Sequence, residues 1–209
     1  MRVHSRSLTD GGAIPEAYAF GVPDVATHMR LGSNRNPHIG WSDLPPGARS
    51  LALVCHDPDV PGRLGDANRE DREIPADLPR IDFYHWLVVD IDPGLGELPD
   101  GAFSDGVVAG GKAGPDGPLG TRQGLNTYTD LFAGDAEMEG EHFGYDGPCP
   151  PWNDSIPHRY LFTLYALDIE RVPVEGAFRG GELLEALAGH ILGQAVLTGR
   201  YSLNPRVPV

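Results

Sequence analysis

The sequence predicts a mainly β protein: an antiparallel β-sandwich with a few peripheral α-helices, in one domain over residues 1–209. Three observations lead there. Apolar runs rich in β-branched and aromatic residues end at turn formers. Glycine (28) and proline (20) are enriched and scattered without a repeat, which implies many turns. No strand–helix–strand repetition occurs, which argues against a parallel α/β sheet.

The first strand is expected at Ser50-Leu51-Ala52-Leu53-Val54-Cys55-His56, stopped by Asp57-Pro58-Asp59. The second covers Phe83 to Ile91 and stops at Asp92-Pro93-Gly94. The third and longest runs from Arg159 to Leu167. None alternates cleanly, so each is expected to be covered on both faces, as a central strand would be. A weaker strand is read at Gly199 to Asn204. One segment reads as helix: Leu183, Leu187, Ile191 and Ala195 recur every four residues, flanked by Leu184, Ala188, Leu192 and Val196, with Gly199 as the stop. His190 lies within that pattern and reads as a partly buried histidine without a site role. Thr129 to Phe132 reads as one helical turn. Residues 62–80 are charged and broken by proline, a long surface loop of the sort that usually serves a site or interface. Residues 101–124 form a second, glycine-rich connector.

Charge narrows the function. A formal net charge of −14 repels nucleic acid phosphates and anionic lipid surfaces, so a polyanion is a poor partner. A small anion in a local polar pocket is compatible with it, because a pocket is governed by its lining. Met1 to Ser7 lacks the apolar run of ~7–15 residues that a signal peptide needs. No stretch approaches the ~20 apolar residues of a membrane span. A cytoplasmic protein without integral membrane association is the expectation. Cys55 and Cys149 read as two buried thiols or as a single disulfide.

Three polar clusters carry the chemistry: His56-Asp57-Pro58-Asp59-Val60-Pro61, then His85-Trp86, then Asp146-Gly147-Pro148-Cys149-Pro150-Pro151 followed by His158-Arg159-Tyr160. Each alone is compatible with a rigid turn. Together they offer what an anion site uses: imidazole N–H, phenol O–H and backbone N–H from a stiff glycine–proline loop. Asp57 would repel an anion by itself, but suits a partner role to a histidine or a contact to a ligand ammonium. Val60-Pro61 is a candidate cis peptide.

In this order, the three clusters resemble the signature motifs of the phosphatidylethanolamine-binding family. Asn36-Pro37, Trp41 and Leu203-Asn204-Pro205 resemble its bacterial, Raf-kinase-inhibitor-like branch. The resemblance runs from about Asn36 to Pro205 and implies a β-sandwich with a small anion pocket at one edge. By position it implies pocket roles for Asp57, His85, Gly147, Pro148, His158 and Tyr160. Val60 replaces the family's commoner alanine, and the 62–80 loop is longer than in eukaryotic members. The tyrosine that eukaryotic members place shortly before the strand histidine has no clear counterpart. The implied function is non-enzymatic binding of a phosphate-bearing molecule or phospholipid head group, with no cofactor and no bound metal, in a monomer or a homodimer. Two alternatives stand beside it. One is a regulatory protein that inhibits a kinase or protease. The other is a hydrolase that uses a metal on His56, Asp57, Asp59, His85 and His158, or Cys149 with His158. Removing either pocket histidine is expected to weaken anion binding without unfolding the protein.

Overall fold

Ten strands and two short α-helices occur in the computed structural model, which describes all 209 residues. In chain order the strands are β1 (Arg2–His4), β2 (Gly21–Asp24), β3 (His28–Leu31), β4 (Ile39–Ser42), β5 (Ser50–Pro61), β6 (Arg80–Ile91), β7 (Glu97–Leu98), β8 (Arg122–Gln123), β9 (His158–Leu167) and β10 (Ile191–Tyr201). Helix α1 spans Tyr128–Leu131 and α2 spans Gly180–Leu187. The principal sheet has the order β10-β9-β5-β6-β8, and its pairings are antiparallel. A smaller sheet, β1-β4-β7, and the β2–β3 hairpin complete a mainly antiparallel β fold. No helix is long and apolar enough to cross a membrane.

The three runs chosen from sequence form β5, β6 and β9, the heart of the principal sheet. Their missing alternation has the expected cause, because both faces are covered. Leu51, Leu53 and Cys55 of β5 pack with Trp86, Tyr160, Phe162 and Leu164 in the larger core, which also receives Ile39 and Trp41 from the small sheet. Ala52 and Val54 point the other way, onto Leu183 and Leu187 of α2 and the Val172–Val174 segment. That outer segment is pinned by Arg122, whose guanidinium pairs with Asp90 at 2.6 Å and donates to the carbonyls of Val172 and Val174.

Three expectations are corrected. The helix read over 183–196 stops at Leu187, because Gly189 turns the chain with φ 85°. The apolar residues beyond it belong to β10, where Ile191, Leu192 and Val196 are exposed. Gly199 is no helix stop; it sits within β10, where an added Cβ would lie 2.5 Å from Ile14. His190 falls in the turn and pairs with Asp168 at 2.9 Å. The cis peptide is Gly114–Pro115, not Val60–Pro61. Both cysteines are free, Cys55 buried and Cys149 half-buried.

Candidate anion-binding site

Three neighbouring strands bring the site together at one end of the inner face. Side chains alternate along a strand, so Asp57 shares the face of Leu53 and Cys55. His158 and Tyr160 likewise share the face of Phe162 and Leu164 on β9. His85 would point away from that face, since Trp86 already faces it. The register resolves the conflict: Cys55 pairs with Trp86 but His56 pairs with Tyr84, so His85 is an extra residue in β6. This bulge re-aims the imidazole to the side of Asp57 and Tyr160.

The result is a cavity of about 280 Å³. Asp57, His85 and Tyr160 form its polar floor, and Phe83, Tyr128, Leu131, Cys149, Pro150 and Pro151 contribute walls. Leu64, Ala67 and Asn68 of the 62–79 loop close another side. Leu64 and Leu131 keep 47% and 46% exposure, which makes the mouth apolar above the polar floor.

The His85 ring is fixed by one hydrogen bond. Nδ1–H donates to the Asp146 carbonyl at 2.7 Å, which leaves Nε2 as the cavity-side atom without a protein partner. Burial lowers the His85 pKa more than the nearby Asp57 and Asp146 raise it, so the ring is neutral. Aromatic rings enclose it, with centroids at 4.9 Å for Phe83, 5.1 Å for Tyr160 and 5.7 Å for Tyr128. Asp146 is itself held from distant segments. Its carboxylate accepts from Asn34 at 2.7 Å, from Asn126 at 2.8 Å and from Lys112, the only lysine of the chain, at 2.5 Å. Burial would raise its pKa, but the His142 hydrogen bond and the Lys112 charge outweigh burial and lower it.

Beneath the floor lies a chain of charges. His158 donates from Nδ1 to Asp57 Oδ2 at 2.7 Å and from Nε2 to Asp154 Oδ2 at 3.2 Å. Burial would lower the His158 pKa, but hydrogen bonds and charge from Asp154 and Asp57 raise it to about 9. The imidazolium therefore cancels the negative charge of Asp57. Arg80 completes the chain with a two-pronged pair to Asp154, at 2.6 and 3.1 Å. The second oxygen of Asp57 accepts the Asp59 N–H at 2.8 Å, so neither carboxylate oxygen is idle. The Tyr160 hydroxyl is the exception. It is buried with no hydrogen-bond partner, and burial followed by the Asp57 charge pushes its pKa well up.

Asp57, His85 and Tyr160 thus meet in one cavity, whereas Gly147, Pro148 and His158 stand behind its surface. Gly147 donates its N–H to Asn34 and its carbonyl accepts from the Tyr128 hydroxyl. The Pro148 carbonyl accepts from Phe20 and Gly21. Of that proline-rich run only Cys149, Pro150 and Pro151 reach the cavity. Tyr128, on α1, supplies a wall tyrosine that no motif near the strand histidine announced. Asp154 and Arg80 were equally silent, since neither belongs to a periodic pattern; the four-residue spacing of Asp154 from His158 was the one available cue.

Comparison with known proteins agrees with this architecture. The sequence profile described as phosphatidylethanolamine-binding protein matches residues 4–202. The chain is 31% identical to UPF0098 protein YbhB of Escherichia coli K12 over 202 residues, which are 97% of this chain and 100% of that protein. It is 32% identical to a UPF0098 protein of Methanothermobacter thermautotrophicus over 201 residues, 96% and 98% of the two chains. Among solved structures, the phosphatidylethanolamine-binding protein homologue of Chlamydia trachomatis superposes with a TM-score of 0.65 at 30% identity, covering 96% of each chain. Escherichia coli YbcL superposes with a TM-score of 0.68 at 26% identity, covering 96% and 97%. By sequence, by sheet topology and by the placement of its motif residues, this chain belongs to the phosphatidylethanolamine-binding protein family.

Proposed function

We propose that the cavity binds a small phosphate-bearing anion, either free or as a phospholipid head group, and that the protein works by binding rather than by chemistry. One observation carries this reading: Tyr160, whose buried hydroxyl has no partner, and His85, whose Nε2 bonds no protein atom, line the same cavity. A buried donor without an acceptor is unfavourable until a ligand supplies one. Asp57 does not oppose an anion there, because His158 neutralises it from below. His85 takes up a proton as the anion arrives, which makes both groups donors. The apolar mouth suits the carbon portion of an amphiphile, and Asp57 suits an ammonium where the ligand has one. Cys149 also lines the cavity, and its N–H bonds no protein acceptor, whereas its proline neighbours have no N–H at all.

Three features weigh against hydrolysis. Burial pushes the Cys149 thiol up to about 12, which keeps it protonated and a poor nucleophile. His158 spends both ring nitrogens on aspartates and has none left to act as a base or metal ligand. His56 faces away from Asp57, beside Tyr84, and so cannot join it in a metal site.

Titration calorimetry with inorganic phosphate and with phosphoethanolamine tests the reading. Saturable binding that weakens in both His85→Ala and Tyr160→Phe is the expected result. Binding unaffected by both substitutions places the anion elsewhere and overturns the assignment.

A further inference from the structure

The wall formed by Leu64, Ala67 and Asn68 has little of its own to hold it. The loop's ion pairs, Arg69–Asp71 and Arg72–Asp66, join exposed side chains, and such pairs contribute little. The buried tie comes from a different part of the chain. Asn153 is 2% exposed and spends its whole amide on the loop. Nδ2 donates to the carbonyls of Asp66 at 2.8 Å, Arg72 at 3.0 Å and Arg69 at 3.2 Å. Oδ1 accepts the Asn68 N–H at 2.8 Å. In return the Trp152 N–H donates to Asn68 Oδ1 at 3.0 Å. Beside this knot the buried Ile74 exchanges backbone hydrogen bonds with Asn153 and Ser155, at 3.0 and 3.1 Å. Asn68 holds a left-handed backbone with φ 58°, a conformation asparagine tolerates better than most residues.

Asn153 does not line the cavity, and the floor does not depend on it. Asp57, His85 and Tyr160 sit on three paired strands, whereas the wall is a loop. Ordering a loop opposes about 1 kcal/mol or more of backbone entropy per residue, so the wall's position depends on its ties. We infer that Asn153 is a positioning residue for ligand selectivity: it holds Leu64, Ala67 and Asn68 against the apolar portion of a ligand whose phosphate rests on the floor. This deepens the anion-pocket reading and rests on it. The ligand class it selects is a phosphate amphiphile, in preference to bare phosphate.

The test compares two probes by calorimetry: inorganic phosphate, and dihexanoylphosphatidylethanolamine below its micellar concentration. Three variants are titrated beside the wild type. Asn153→Ala removes the whole tie; Asn153→Asp keeps its volume and acceptor but loses both donors. Leu64→Ala trims the wall and leaves the Asn153 bonds alone. Each variant is expected to lose about ten-fold or more in affinity for the lipid, and the two Asn153 variants to hold phosphate affinity within about two-fold. Trypsin under native conditions should also cut at Arg69 or Arg72 faster in the two Asn153 variants but not in Leu64→Ala. A ratio of lipid to phosphate affinity unchanged from wild type in the folded variants overturns the selectivity role alone. A wild-type protein that binds neither probe overturns the anion pocket, and this role with it.

Discussion

The Asp57 carboxylate and the His158 imidazole meet at 2.7 Å with side-chain exposures of only 2% and 0%. A charge pair that deep is held by geometry, because each partner alone would be a buried, unpaired ion. The consequence divides the two pocket histidines. His158 stabilises the fold, and His85 is the one that lines the cavity.

His158→Ala should destabilise the protein by about 3–5 kcal/mol, since it strands Asp57 and opens Asp154 to Arg80 alone. This revises the expectation from sequence that either histidine could be removed without harm to the fold. Urea denaturation followed by tryptophan fluorescence measures it, and a loss under 1 kcal/mol would sink the buried-pair account.

The same pair sets an alkaline limit. The folded pKa of His158, about 9, stands above its ordinary 6.5, so the proton is bound more tightly in the folded state. The pair's contribution is therefore complete below pH 6.5 and is lost as pH rises through 9. A gap of that size corresponds to roughly 3 kcal/mol. His85, lowered by burial, acts in the opposite sense and withdraws stability as pH falls below 6.5. Thermal unfolding from pH 6 to pH 10 should show a decline at the alkaline end that His158→Gln lacks.

Much of this was legible from residues alone. β5, β6 and β9 announce themselves as apolar runs rich in β-branched and aromatic residues. Asp92-Pro93-Gly94 does end β6, but β5 continues through Asp57-Pro58-Asp59 to Pro61, because Asp57 still pairs with Phe83 and Val60 with Ile81. The resemblance of the ordered motifs to the family's implies a shared site for Asp57, His85 and Tyr160, and these three do line one cavity. What stayed hidden depended on register and on distant backbone. The bulge that turns His85 inward is a pairing property of two strands, with no mark in either. The four-residue apolar spacing over 183–196 runs unbroken across Gly189, although within it only Leu183 and Leu187 find a core to pack on. Gly147 looked like a backbone donor to a ligand, yet its N–H is already given to Asn34.

Gly147 is instead required for close packing. A Cβ there would stand 2.1 Å from the Tyr18 carbonyl oxygen and 2.9 Å from the Tyr145 hydroxyl. The first is backbone and cannot swing aside. Gly147→Ala should destabilise by about 3 kcal/mol through overpacking. Its melting temperature should drop well below that of Gly134→Ala, where an added Cβ meets nothing within 4 Å. Both glycines have to be compared with φ in mind, since Gly134 carries φ 83° and so includes a backbone penalty that Gly147 lacks.

Tyr160→Phe separates binding from stability most cleanly. The ring is 1% exposed and packs against His85, and phenylalanine preserves both features. What is removed is a hydroxyl that has no partner and lies near the Asp57 charge. Deleting an unsatisfied buried polar group is neutral or favourable for folding, so stability should stay level or rise by up to about 1 kcal/mol. Phosphate affinity should fall by about ten-fold, the loss of one hydrogen bond to a charged acceptor. Calorimetry gives the second quantity and urea denaturation the first. A clear loss of stability with unchanged affinity would show that the hydroxyl serves the fold and is not an anion donor.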